Sequence, residues 1–152
     1  EAQVLVDLQH GLRFVFDENN AKGLVVESSV KIENDHTISG YCSTDNWVKR
    51  KYFFTLTFDQ SFLRSTELPK KTSDNAPKFL LDFLLDESKL LNVKIALSSV
   101  DIEGAKRNME AELNHWDFQR VLAQNQMEWD RYLNRIDITA PAKQKELFYT
   151  SL

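Results

Sequence analysis

The chain has 152 residues, enough for one medium domain or one domain with part of a second. Its 42% hydrophobic and 11% aromatic content supplies a core and excludes global disorder. A net charge of −4 excludes the basic footprint of a nucleic-acid binder, and Lys49-Arg50-Lys51 reads as the solvated start of a strand. Cys42 is the single cysteine, so no intrachain disulfide is possible. No run approaches the roughly 18 apolar residues of a membrane span. The chain opens Glu1-Ala2-Gln3, with no Met and no basic stretch of the kind that begins a signal peptide.

Short β-type runs separated by turn formers fill the first hundred residues. Val4 to Leu8 is the first predicted strand and Leu12 to Phe16 the second. Gly23 to Glu33 follows, then Thr37 to Ser43 after the polar turn Asn34-Asp35-His36. In Tyr52 to Phe58 the alternation is strict: Tyr52, Phe54, Leu56 and Phe58 share one face, Thr55 and Thr57 the other. Residues 59–77, with Pro69, Lys70, Lys71, Ser73, Asp74, Asn75 and Pro77, read as a loop. Phe79 to Leu85 and Asn92 to Ser98 complete the strands, the latter with Val93, Ile95 and Leu97 expected to point inward. The pattern predicts an antiparallel β-sandwich or barrel.

Past residue 100 the period becomes helical. Asp101 is placed to cap a helix whose stripe is Ile102, Ala105, Met109 and Leu113. Asp117 can cap a second, bearing Phe118, Val121, Leu122, Trp129, Tyr132, Leu133 and Ile136, with Arg131 and Arg135 suited to its negative end. Ile136 to Thr139 reads as a short β-like connection, and Pro141 permits a third helix with Leu147 and Phe148. A compact domain seldom stops inside an amphipathic helix, so the polypeptide is expected to continue past Leu152.

The acidic residues form no evident constellation. Glu103 and Glu110 share a helical face opposite the apolar stripe and read as solvated, and Asp82 and Asp86 as the exposed side of a strand-like run. His10, His36 and His115 sit in three separate turn-like contexts without metal-ligand spacing. Cys42 reads as a half-buried strand thiol, and Gly40 and Gly104 belong to no phosphate-binding motif. Trp47, in the polar turn Ser43 to Trp47, is a candidate sugar-binding aromatic, although packing over a sheet edge is the plainer reading.

From Val93 onward the order of motifs is more specific than periodicity. A strand ending in SSV, then EGAKRNMEAEL, a WDF turn, a helix with Trp129, RIDI and FYTSL resemble the segment joining sandwich to catalytic domain in glycoside hydrolase family 92. Upstream, TISGYCSTDNWVKRKYFFTLTFDQSF is similar to a strand pair of that family, and VLVDLQHG to another of its strands. The resemblance implies a supersandwich-like partial β-sandwich over residues 1–100 and a helical linker over 101–140. It makes residues 141–152 the start of a catalytic (α/α)6 barrel that this chain does not contain.

It further implies a parent enzyme that is a calcium-dependent, exo-acting, inverting α-mannosidase, removing terminal α-1,2-linked mannose from glycans in the periplasm or outside the cell. Inversion uses one carboxylic acid to protonate the leaving oxygen and one carboxylate to activate water. The family's catalytic carboxylates and calcium ligands lie in the barrel, so none is carried over to this chain. The broad apolar helical faces, with Trp116, Phe118, Trp129, Tyr132 and Phe148, are expected to form a domain interface that holds the two walls of the sugar pocket in register. The competing expectation is a free-standing carbohydrate-binding or adhesion module. A ligand-free scaffold is a third.

Overall fold

The computed structural model describes residues 1–9, 14–15, 21–22, 24–45, 48–70 and 76–151. Strand β1 (Ala2–Asp7) pairs with β8 (Lys78–Phe83), which pairs with β7 (Phe62–Glu67), giving a three-stranded sheet in the order β1-β8-β7. A four-stranded sheet has the order β4-β5-β6-β9, from β4 (Leu24–Ile32), β5 (Thr37–Asp45), β6 (Lys49–Phe58) and β9 (Val93–Ser98). The short strands β2 (Phe14–Val15) and β3 (Ala21–Lys22) pair with each other. All of these pairings are antiparallel. The helices are α1 (Ile102–Glu112), α2 (Phe118–Leu133) and α3 (Ala142–Thr150). The mainly β, antiparallel architecture with C-terminal helices is the one the sequence predicts.

The chain divides into two compact units, residues 1–114 and 115–152, so α1 lies with the sheets. In the first unit the apolar alternation of β6 fixes where the core sits. Phe54 and Phe58 are buried and join Ile38 of β5, Phe62 of β7, and Leu81 and Phe83 of β8 in one cluster between the two sheets. Phe58 stacks tilted on Phe83 with centroids 4.9 Å apart, and Phe62 meets both edge-on at 6.3 and 6.0 Å. These are favourable quadrupole arrangements that add to the burial term. Gly40 is required where strands crowd: a Cβ there would stand 2.1 Å from the Ser29 carbonyl oxygen and 2.8 Å from the Phe54 ring.

The opposite face of β6 carries threonines, yet Thr55 is 1% exposed. Helix α1 packs on β6 and β9 there. It can lie close because its contact residues are small. Gly104 and Ala105 are both buried, and a Cβ on Gly104 would come 2.6 Å from Ser98 Oγ. Asp101 caps the helix as expected, accepting from the Gly104 amide, and the Lys94 ammonium donates to the Leu113 carbonyl at the other end. A cation on terminal carbonyls complements the helix dipole.

Three expectations are corrected here. Val93, Ile95 and Leu97 lie in register with Phe58, Leu56 and Phe54 and share the core-facing side of the sheet, yet they are not buried: they are 42%, 57% and 57% exposed. β9 is an edge strand, none of its residues joins the core cluster, and its better-covered face is the Lys94, Ala96 and Ser98 side beneath α1. The predicted loop 59–77 contains β7, whose alternation is broken by a register shift between Phe62 and Arg64 and which buries only Phe62. The connection at residues 136–139 is turn and coil rather than β-like.

In the second unit Asp117 caps α2 by accepting from the Arg120 amide, and Pro141 precedes α3. Tyr149 Oη donates to the Ile136 carbonyl at 2.7 Å, tying α3 to the segment after α2.

Candidate functional site

Three surfaces gather functional side chains, and the first lies on the outer face of the three-stranded sheet. Gln3 and Arg64 both stand opposite Asp82 in register, so one residue from each strand forms a row. Gln3 Nε2 donates to Asp82 Oδ1 at 2.7 Å, while Arg64 Nε and Nη2 reach Oδ2 at 2.8 and 2.7 Å. The amide bond from Gln3 and then the guanidinium hold the Asp82 carboxyl below the usual carboxylate range. The row borders an open groove of about 790 Å3, flanked by the side chains of Leu63 and Leu84. Sequence reading placed Asp82 on the exposed side of its strand but could not supply its partners, since these depend on register between distant segments.

The second surface lies on the four-stranded sheet. Tyr41 Oη donates to Glu27 Oε1 at 2.6 Å, and the Tyr41 and Phe53 rings are 5.9 Å apart. An aromatic pair beside a carboxylate could serve as a sugar platform, but Lys51 Nζ sits 3.6 Å over the Tyr41 ring and 3.7 Å from Glu27. The ring face on which a sugar would stack is therefore taken by an ammonium. Trp47, the sequence candidate for sugar binding, lies outside the described residues.

Aromatic residues of the second unit make the third. Phe118, Trp129 and Tyr132 on α2 are exposed, as is Trp116 before it, and Phe148 on α3 is half-buried. Arg135 lies 4.6 Å over the Tyr132 ring. Phe148 meets Tyr149 edge-on at 5.2 Å. α2 buries no residue.

The remaining polar clusters read as architecture. Glu33 accepts from Lys31 and from the buried Ser39 hydroxyl, each at 2.7 Å, and these bonds, with Lys106 nearby, bring its pKa down to about 2. Lys106 stands 3.7 Å from Glu33 and 2.9 Å from Glu103, so the network pins α1 to the β4–β5 turn. His36 Nδ1 donates to the Phe58 carbonyl at 3.1 Å, and its Nε2 lies 2.9 Å from Ser61 Oγ, which staples two turns together. His115 Nδ1 accepts from the Asp117 amide, and His10 lies outside the described residues. Burial pushes the Cys42 thiol pKa up, which makes it a poor nucleophile. Among the described residues no three His, Cys, Asp or Glu side chains converge to hold a cation. No helix among the described residues is long and apolar enough to cross a membrane.

Comparison with known proteins agrees with this architecture. A family model described as the glycosyl hydrolase family 92 catalytic domain matches residues 104–152. The family 92 α-mannosidase BT3965 of Bacteroides thetaiotaomicron superposes with a TM-score of 0.76 at 27% identity, over 85% of this chain. The likeness is to glycoside hydrolase family 92. Its inverting mannosidase BT2199, from the same organism, superposes at 0.72 with 19% identity over 85% of the chain. The family 92 hydrolase ccman5 does so at 0.73 with 20% identity over 97%, and these two likenesses speak for the fold. The chain spans 19%, 19% and 20% of those family 92 structures. No curated protein matches it.

Proposed function

We propose that this chain supplies the β-sandwich and first helices of an exported family 92 exo-α-mannosidase that removes terminal α-1,2-linked mannose with inversion and depends on calcium. The observation carrying this reading is the 0.76 superposition at 27% identity on an α-mannosidase. That enzyme has also been solved in complex with mannoimidazole. On this reading residues 1–100 belong to the sandwich, 101–140 are the helical linker and 141–152 open the catalytic domain.

The chain's own part is positioning. The capped α1, its small-residue contact with β6 and β9, and the Glu33–Lys106 pin hold α1 firmly on the sandwich. The exposed Trp116, Phe118, Trp129 and Tyr132, with Phe148, are the surface that the parent's catalytic domain covers. Rigid support of this kind matters because a misplacement of about 1 Å can cost about 100-fold in rate. The acid and the base of the inverting reaction come from outside this chain.

The test is to express the full-length protein containing this chain and follow α-1,2-mannobiose by proton NMR, with and without a calcium chelator. The expected result is mannose released first as the β-anomer, with loss of activity on chelation. A full-length protein that binds the disaccharide and never cleaves it would overturn the reading in favour of a carbohydrate-binding module.

A further inference from the structure

We infer that the groove on the outer face of the three-stranded sheet is a secondary, non-catalytic binding site for a neutral mannoside. The mannose assignment rests on the mannosidase reading above. The site itself rests on geometry. The groove, at about 790 Å3, falls within the size of small-molecule sites, about 300–1,000 Å3. One wall is a row of three polar groups contributed by adjacent strands and held in place by their mutual bonds. Both oxygens of Asp82 are already engaged, which fixes the plane of its carboxylate.

Among the described residues, Gln3 Oε1 and Arg64 Nη1 make no hydrogen bond and remain as an acceptor and a donor beside a carboxylate with lone pairs to spare. Alternating donor and acceptor groups at fixed spacing suit the vicinal hydroxyls of a hexopyranose. Leu63 and Leu84, 72% and 64% exposed, offer apolar surface to the C–H face of the ring. Charge argues for a neutral ligand. Arg64 and Asp82 neutralise each other, which leaves the row without net charge for an anion or a cation, and Glu1, which also lines the groove, further disfavours an anion. Phe83 borders the groove but is turned into the core at 2% exposure, so among the described residues lining it no aromatic ring is available to stack. Binding is accordingly weak, with a Kd of about 1 mM for a disaccharide.

The experiment titrates the isotopically labelled full chain with α-1,2-mannobiose and follows backbone amides by NMR. Saturable shifts should centre on Gln3, Leu63, Arg64 and Leu84. Asp82→Asn, which breaks the row, and Leu84→Arg, which fills the groove and leaves the row intact, should each weaken binding at least about tenfold. Two variants are used because the first alters a cross-strand pairing. Absence of saturable shifts, shifts centred elsewhere, or wild-type affinity in both variants would overturn the proposal. Equal affinity for cellobiose would overturn the mannoside assignment. Mannobiose hydrolysis by the full-length protein carrying Leu84→Arg is the separate readout for the enzymatic reading, and it should stay at the unsubstituted rate.

Discussion

Residues 1–114 and residues 115–152 both carry clear apolar patterns, yet they bury them to very different depths. In the first unit Ile38 and Leu81 are fully buried, and Phe58 and Phe83 are at most 2% exposed. In the second, α2 and α3 bury no residue, and Trp129 remains 65% exposed. A hydrophobic stripe thus announces that a face is meant to be covered without saying whether its cover lies in the same unit. Substitutions on the two sides of this divide should differ most in their cost, and the expected effects run from core to surface.

The largest effect is expected at Phe83, which touches Phe58 and Phe62 across the sandwich. Phe83→Ala removes a fully packed ring and should cost about 3–5 kcal/mol by chemical denaturation of the full chain. A loss below about 1 kcal/mol would mean that the sheets do not meet through these rings.

Next comes Gly104→Ala, where two effects of opposite sign compete. Alanine favours a helix over glycine by about 1 kcal/mol. The new Cβ would press on Ser98 at 2.6 Å, and such overpacking costs about 1–3 kcal/mol. The net expectation is destabilisation of about 1 kcal/mol, with the double variant Gly104→Ala, Ser98→Ala recovering most of it. A stabilised single variant would show that α1 sits further from β9 than its small residues imply.

Glu33→Gln gives a comparable effect with a pH signature. The folded carboxylate has its pKa lowered from an ordinary 4.5 to about 2. Its contribution is therefore fully present above pH 4.5 and is lost as pH falls from there through about 2. Because the group is near the surface, the contribution is about 1 kcal/mol after allowance for solvent screening. The stability gap between Glu33→Gln and the parent chain should be widest near neutral pH and close toward pH 2. A gap that persists at low pH would assign the loss to packing rather than charge.

What the sequence made legible follows the same divide. The alternation of Tyr52 to Phe58 marked the core-facing side correctly, and Asp101 and Asp117 were identifiable as caps, because these signals are local. β7 was hidden because an edge strand with a bulge and one buried residue has almost no periodic signature. β9 misled for the opposite reason: its apolar side chains alternate well, but the helix covers the other face. The Gln3–Asp82–Arg64 row joins residues 79 and 18 positions apart, so only the strand register could reveal it.

The smallest effect in this chain is the one that most sharpens the comparison. Trp129 is 65% exposed, so Trp129→Ala in the 152-residue chain should shift stability by no more than about 0.5 kcal/mol. If the parent's catalytic domain covers this face, the same substitution in the full-length protein removes a buried indole and should cost about 3 kcal/mol. Melting curves of both proteins, with mannobiose turnover for the longer one, separate the cases. A small effect in both would mean that the aromatic face is not an interface. A large effect in the short chain would mean that the second unit already buries Trp129 in solution, and the contrast between the two units would fail there.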